Sequence, residues 1–314
     1  MTPPDPDPDV SVPDVSVLVV SYNTRAMTLE CLASVSRETR LPHEVIVLDN
    51  ASTDGSAEAI AAAFPDLPLI LPGQNLGFAA ANNRAAAQAR GRYLLLLNPD
   101  TVVLDGAIDR LVAVARAHPR AGIWGGRTLF ADGRLNPSSV RAHFTPFSLF
   151  CQAVGLARIF RNSPRLNAED YGGWRRDSLR PVDVVTGCLF LIDRGLWQRL
   201  GGFDEWFTMY GEETDLCLRA RALGAEPLFS PDPVIIHHGG ASEPVRADKM
   251  VRLLAAKITL MHKHWSPPRR WLGQRLYLLM ALIRRIGPRN ARTDSWGRIW
   301  RRRGEWLNGF PRPG

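Results

Sequence analysis

Apolar and polar positions in the first hundred residues alternate between short hydrophobic runs and longer amphipathic stretches. Val15-Ser16-Val17-Leu18-Val19-Val20 reads as a first strand. It ends at the polar turn Ser21-Tyr22-Asn23-Thr24, which can cap a helix reaching about residue 36. Glu44-Val45-Ile46-Val47-Leu48 predicts a second strand, ending at Asp49-Asn50. The turn 51–56 then leads into an alanine-rich helix, and 67–71 is a short third strand. Gln74-Asn75-Leu76-Gly77-Phe78 opens a helix over 79–89. Tyr93 starts a fourth strand whose four leucines, Leu94-Leu95-Leu96-Leu97, read as buried on both faces. Asn98-Pro99 stops that strand, because proline cannot continue a ladder. The alternation predicts an α/β fold, a mostly parallel central sheet flanked by helices.

Polar side chains collect where these strands end. Tyr22 and Asn23 follow the first, Asp49 and Asn50 the second, Asn98 and Asp100 the fourth. Open α/β sheets bind ligands at that edge, and the pattern suits a nucleotide. Asp100 with an amide two residues earlier suits a hard divalent cation holding phosphate oxygens, and equally suits a helix cap or a closed turn. Asp49, directly on its strand end, reads as a ligand contact, whereas Asp54 reads as a turn or cap residue. No Gly-x-Gly-x-x-Gly and no phosphate-binding Gly-Lys-Ser/Thr loop is present.

Further along, 106–118 is an amphipathic helix. Residues 122–126 and 128–130 read as strands, with Ala131-Asp132-Gly133 a hairpin turn. The stretch 137–181 reads as a variable connection or lid with no assigned chemistry. Residues 182–192 form a long apolar strand interrupted at Thr186-Gly187, where glycine permits close approach of a ligand or another strand. A helix starting near Glu212 would carry Glu212, Glu213 and Asp215 in its first turn. Acids there complement the helix dipole, and one of them can serve as a general base. Val234-Ile235-Ile236 ends in His237-His238-Gly239-Gly240-Ala241-Ser242, a metal or phosphate contact by composition.

Charge changes the picture mainly at the C-terminus. The net charge of +8 favours an anionic partner. The excess sits largely beyond Ser266-Pro267-Pro268, where arginines interleave with Trp265, Trp271, Trp296, Trp300 and Trp306. Arginine flanking the apolar stretch 276–283, with tryptophan nearby, reads as an interfacial helix on an anionic membrane surface through 265–306. Packing on the α/β domain with a solvated basic face, and a subunit interface, are the alternatives. Basic and aromatic residues together also suit nucleic acid. Here, however, an acidic strand-end site would repel phosphate, so no nucleic acid is expected. No apolar run approaches the roughly 20 residues that span a bilayer. Residues 1–14, rich in proline and aspartate, read as a disordered leader without signal character. The widely spaced Cys31, Cys151, Cys188 and Cys217 read as buried thiols of a reducing compartment.

In this order the motifs resemble the family 2 inverting glycosyltransferases of GT-A fold. The matching stretches are Val17 to Asn23, Val47 to Ser56, Asn75-Leu76-Gly77-Phe78, Leu97-Asn98-Pro99-Asp100, Thr186-Gly187-Cys188, Gly211 to Arg219 and His237 to Ser242. They span about 15–245, leaving 246–314 as a helical Arg/Trp-rich extension. The Asn-Pro-Asp form and the histidine pair look most like the rhamnosyltransferase-like branch, which builds bacterial cell-wall and surface polysaccharides.

The resemblance implies a nucleotide-sugar donor, with dTDP-rhamnose the first expectation. It implies a glycan or polyprenyl-diphosphate-linked acceptor and a cytoplasmic enzyme peripheral on the plasma membrane. Ser21, Tyr22, Asn23, Asp49, Asn50, Asn75, Gly77, Asn98, Asp100 and Gly187 would contact the donor. Asp100 would bind Mg²⁺ or Mn²⁺ with His237, or with His238. Glu213 would be the base that deprotonates the acceptor, with Glu212 or Asp215 as alternatives. Two departures matter: Glu213 replaces the usual aspartate, and Asn98 replaces the first acid of the Asp-x-Asp motif. A non-catalytic nucleotide-sugar-binding protein is therefore the rival reading.

Overall fold

The computed structural model describes residues 12–239, 246–286 and 294–312. The first half runs β1 (Val15–Ser21), α1 (Arg25–Glu38), β2 (His43–Asp49), α2 (Ser56–Ala63), β3 (Leu69–Ile70), α3 (Gly77–Ala86) and β4 (Tyr93–Leu97). These strands pair in parallel in the order β3-β2-β1-β4. Their side chains alternate between two buried faces. Val15, Val17 and Val19 pack with Cys31, Leu32 and Val35 of α1, while Leu18 and Val20 pack with Ala81 and Ala85 of α3. Burial on both faces is why the strands read as unbroken apolar runs.

The second half continues with β5 (Thr101–Leu104), α4 (Ala107–Ala117), β6 (Ile123–Leu129), β7 (Leu135–Asn136) and β8 (Val140–Arg141). There follow α5 (Pro146–Ala153), α6 (Leu156–Ile159), β9 (Arg180–Pro181), β10 (Val184–Val185), β11 (Leu189–Asp193), α7 (Arg194–Leu200), α8 (Glu212–Ala222) and β12 (Leu228–His237). The main sheet extends as β4-β11-β6-β12-β5. β6 and β12 run with the first-half strands, whereas β11 and β5 run against them. β11 and β5 therefore bring their beginnings to the edge where β1, β2, β4 and β12 end. Leu189 pairs with Leu97, and Thr101 pairs with His237. That edge gathers nearly all the polar strand-end residues.

Several sequence expectations change. β5 was not anticipated: Asp100 neither caps a helix nor ends a strand but leads straight into an antiparallel one. The apolar run 182–192 is not one strand. β10 pairs with β8 in a separate two-stranded sheet, and Thr186 N–H donates to Ser139 O, so the chain leaves the ladder before β11. Conversely, 123–129 is a single strand through Gly125-Gly126. A Cβ on Gly125 would stand 2.5 Å from Val185 Cγ1, so glycine lets β10 close onto β6. The hairpin turn at 131–133 is as predicted, closed by Phe130 N–H to Arg134 O.

Residues 1–11 of the expected leader lie outside the described residues, but Pro13 and Asp14 are already tied to the domain. Pro13 O accepts from Arg92 N–H, and Asp14 pairs with Arg116. At the other end, α9 (Arg246–His264), α10 (Pro267–Ile286), α11 (Ser295–Arg301) and α12 (Arg303–Trp306) fold back onto the domain. One apolar cluster joins Phe144, Leu149 and Phe207 to Ile258, Met261, Trp265, Tyr277 and Trp306. Trp265 and Trp306, expected at a membrane interface, are core residues. Trp271 alone of the five is strongly exposed, with Leu272, Leu279, Leu282 and Ile286 on the outer face of α10. No helix among the described residues is long and apolar enough to cross a membrane. All four cysteines are free and buried, as expected.

Candidate active site

The Asn98-Pro99 stop turns the chain through Asp100 into β5. Asn98 O accepts from the Thr101 hydroxyl at 2.7 Å, which closes this turn. Asp100 is buried at the sheet edge. Its Oδ1 lies 3.4 Å from His237 Nε2, its Oδ2 accepts from Gly239 N–H at 3.0 Å, and its carbonyl accepts from His238 N–H at 3.0 Å. Burial pushes the Asp100 carboxyl up, but the His237 ring and the Gly239 N–H outweigh it and hold the group below its ordinary value. Burial disfavours charge on His237, yet Asp100 and Cys188 raise it to about 10.

The donor set fits a divalent cation shared with a substrate. His237 Nδ1 and His238 Nε2 are buried without a hydrogen-bond partner. No group of three or more His, Cys, Asp or Glu side chains among the described residues could enclose a metal. A cation here would take Asp100 and a histidine from the protein and fill its remaining positions with phosphate oxygens and water, the usual habit of Mg²⁺.

In front of Asp100 lies a cleft of about 230 Å³ walled by Tyr22, Asn98, His237, Met209, Tyr210 and Lys249. Asn50, Asn75, Gly77 and Phe78 form its other side. The two asparagines shape that side. Asn50 Nδ2 donates to Asn75 Oδ1 at 2.9 Å, Asn50 Oδ1 accepts from Leu76 N–H, and Asn75 Oδ1 accepts from Gly77 N–H.

Two of the expected donor contacts differ. The Ser21 hydroxyl is buried against Thr28, and Asn23 Oδ1 accepts from Thr53 N–H, so both brace the β1 and β2 turns instead of facing the cleft. Asp49 Oδ1 likewise holds Ser52 N–H, while its Oδ2 is buried with no partner and is free to accept from a ligand hydroxyl. Asp54 binds Arg25 N–H and Ser56, the turn role expected.

α8 starts at Glu212 after Gly211, and its three acids diverge. Asp215 faces α9: it contacts Arg219 Nε at 2.7 Å, Lys263 Nζ at 2.7 Å and His264 Nε2 at 2.8 Å. Burial opposes its charge, but these partners hold the carboxyl down at about 2. Asp215 is thus removed as a candidate base, because its oxygens are committed to structural cations. Glu213 Oε1 instead accepts from Gly187 N–H at 3.0 Å, beside Phe78 of the cleft wall. Burial raises Glu213, and burial with the charge of Glu213 raises Glu212 much further. Glu212 Oε2 has no partner.

Gly187-Cys188 joins the two ends of the site. Gly187 holds Glu213, while Cys188 O accepts from Asn98 N–H and the Cys188 side chain approaches His237. Lys249 was missed from the sequence. It sits outside every motif and reaches the cleft only because α9 folds back.

The glycosyl transferase family 2 model matches residues 16–180. The N-acetylglucosaminyl-diphospho-decaprenol L-rhamnosyltransferase of Mycobacterium tuberculosis is 31% identical over 277 residues, covering 81% of this chain and 87% of that protein. The chain belongs to glycosyl transferase family 2. It is a glycosyltransferase with rhamnosyltransferase-like relatives. The Myxococcus xanthus O-antigen biosynthesis protein RfbC is 30% identical over 83% of this chain but only 19% of its own length. Among solved structures, the Pyrobaculum calidifontis mannosyltransferase in complex with GDP-Man and Mn²⁺ superposes with a TM-score of 0.57 at 19% identity. It covers 97% of this chain and 87% of that one. Staphylococcus aureus TarS with UDP-GlcNAc gives 0.55 at 16% identity, covering 95% and 82%. The expected GT-A architecture is the one observed.

Proposed function

We propose that this family 2 glycosyltransferase moves rhamnose, with inversion, from a nucleoside diphosphate donor to a hydroxyl of a polyprenyl-diphosphate-linked glycan. The observation that carries this reading is the division of the site by Gly187-Cys188, with a raised carboxylate held on one side and the Asp100–His237 pair on the other. The rhamnosyltransferase relative, whose name specifies a diphospho-decaprenol acceptor, supports the choice of substrates.

Glu213 in its ionised form takes the acceptor proton as the acceptor oxygen bonds to the anomeric carbon. The bond from that carbon to the donor phosphate breaks, and the nucleoside diphosphate leaves with the electron pair. A divalent cation held by Asp100 and His237, with His238 the alternative ligand, would supply positive charge to that leaving group. Lys249 adds a fixed cation on the opposite wall, which compensates for the neutral Asn98. Asp49 Oδ2 accepts from a hydroxyl of the ribose, and Tyr22 stacks at the cleft mouth. The exposed apolar face of α10, flanked by arginines, rests on an anionic membrane surface beside the lipid acceptor.

Thermal stability against a panel of nucleoside diphosphates and nucleotide sugars, with and without Mn²⁺ or Mg²⁺, tests donor binding through mass action. Transfer of labelled rhamnose from dTDP-rhamnose to polyprenyl-diphosphate-GlcNAc tests the reaction. Binding without transfer would leave a nucleotide-sugar-binding protein.

A further inference from the structure

A second cavity, about 1080 Å³, lies between the 137–176 connection and the C-terminal helices. It has a wall of arginines: Arg141, Arg158, Arg161, Arg176 and Arg284, against the single acid Asp170. Asp170 is already paired with Arg141. Arg176 is 2% exposed, and its guanidinium donates only to the carbonyls of Trp174, Pro137 and Asp170. Its Nε is buried with no partner. Burial lowers the pKa of both Arg176 and Arg284, and Arg158 adds repulsion at Arg284. No ion pair joins Arg158, Arg161, Arg176 or Arg284 to a carboxylate among the described residues. Arg176 is buried and Arg284 half-buried, and Arg141, Arg158 and Arg161 are exposed at the mouth; cations held at this depth are unfavourable without an anion.

The cavity's surroundings narrow the anion's identity. Val154, Ile283 and Trp296 line it, and Phe150 on α5, Ile159 on α6, Phe160 just after it and Ile286 on α10 are exposed nearby. An arginine pit with an apolar rim matches a diphosphate carrying a hydrocarbon chain. Arginine forks suit the phosphate oxygens, and the rim suits the chain. The cavity also adjoins the active site through α9, where Lys249 lines the cleft and the next residue, Met250, lines this cavity.

We propose that this cavity binds the diphosphate of a prenyl-diphosphate lipid, holding the lipid-linked acceptor while its sugar reaches Glu213. This rests on the transferase reading above, and it assigns the acceptor a site of its own. Arg158 and Arg161 contact the outer phosphate, and Arg176 and Arg284 the inner wall.

The test is binding of farnesyl diphosphate to the full chain, followed by calorimetry, beside the nucleotide and Mn²⁺ thermal shift. Arg158→Gln with Arg284→Gln should weaken farnesyl diphosphate at least about tenfold, the scale of one charged hydrogen bond, and leave the nucleotide shift unchanged. Arg158→Gln alone, on the exposed surface of α6, should weaken it measurably and guards against misfolding of the double variant. Absent or variant-insensitive binding with a normal nucleotide shift would overturn the site while sparing the transferase reading. Loss of the nucleotide shift in the unaltered protein would instead count against that reading. Inorganic diphosphate binding as tightly as farnesyl diphosphate would remove the lipid from the proposal. Arginine-dependent binding to phosphatidylglycerol vesicles without farnesyl diphosphate binding would make the cavity a membrane contact and overturn it.

Discussion

The backbone N–H of Gly187 donates to Glu213 Oε1 at 3.0 Å, and a Cβ on residue 187 would stand 2.9 Å from that oxygen and 3.1 Å from Phe78 Cζ. Glycine is what lets the Glu213 carboxylate come this close to the backbone beside Phe78. Gly187→Ala should therefore displace the carboxylate by a few tenths of an ångström or more. We expect kcat to fall by about a hundredfold, a typical cost of misplacing a catalytic group, with donor affinity retained. Steady-state kinetics separates the two, and an equal loss in donor binding would refute the assignment.

Glu213→Gln should reduce transfer by about a thousandfold or more while the nucleotide-induced thermal shift persists. Wild-type activity in this variant would remove Glu213 from the reaction.

The pH profile of kcat offers an independent check. As the proposed base, Glu213 acts only when ionised, and burial raises its pKa. The acid limb should therefore lie above the ordinary glutamate value of about 4.3. Activity is present above that limb and lost as pH falls through it. Burial and the Glu213 charge raise Glu212 further, so Glu212 is still neutral through this limb and Glu212→Gln should leave the limb in place. A limb that moves to lower pH would show that Glu212 ionises first and repels the charge on Glu213.

Asp100→Ala should abolish the part of the nucleotide thermal shift that needs Mn²⁺. At a ligand concentration of about 100 Kd that stabilisation is roughly 2.7 kcal/mol, easily seen. Lys249→Met should weaken donor binding roughly tenfold with or without metal. Retention of the metal-dependent shift in Asp100→Ala would exclude Asp100 as a ligand.

Asp215 makes a prediction about stability. Its folded pKa of about 2 lies below the ordinary 3.8, so ionisation of this group favours the folded state. The contribution, about 2 kcal/mol, is complete above pH ~4 and disappears as pH falls toward 2. Asp215→Asn should flatten that part of the profile. It should also cost about 3 kcal/mol at neutral pH, since Arg219, Lys263 and His264 lose their shared anion. Denaturant unfolding as a function of pH measures both.

The parallel half of the fold was legible because burial on both faces writes itself as unbroken apolar runs such as Leu94 to Leu97. That Asp100 and His237 meet at one sheet edge, and that a helix starts at Glu212, was legible because strand ends and a helix start carry local signals. β5 was not, since a short edge strand directly after Asp100 has too few residues to show a period. The break at Thr186 was visible, but not that it sends β10 and β11 into different sheets, which depends on pairing with β8. The roles of Ser21, Asn23 and Asp215 depend on partners such as Thr28, Thr53 and Lys263, remote enough in sequence that no local pattern shows them. Lys249 and the arginine cavity depend on how α9 to α12 fold back, and composition there pointed outward to a membrane instead of inward to the core.

That fold-back bears on modularity. α9 supplies a wall of the cleft in front of Asp100 through Lys249 and a wall of the arginine cavity through Met250, and it carries two of the cations on Asp215 beneath α8. A cut after residue 245 would open all three at once. The helical region is therefore not an exchangeable module: grafting in a relative's C-terminal part would preserve function only if it brought equivalents of Lys249, Lys263 and His264 on the same helix face.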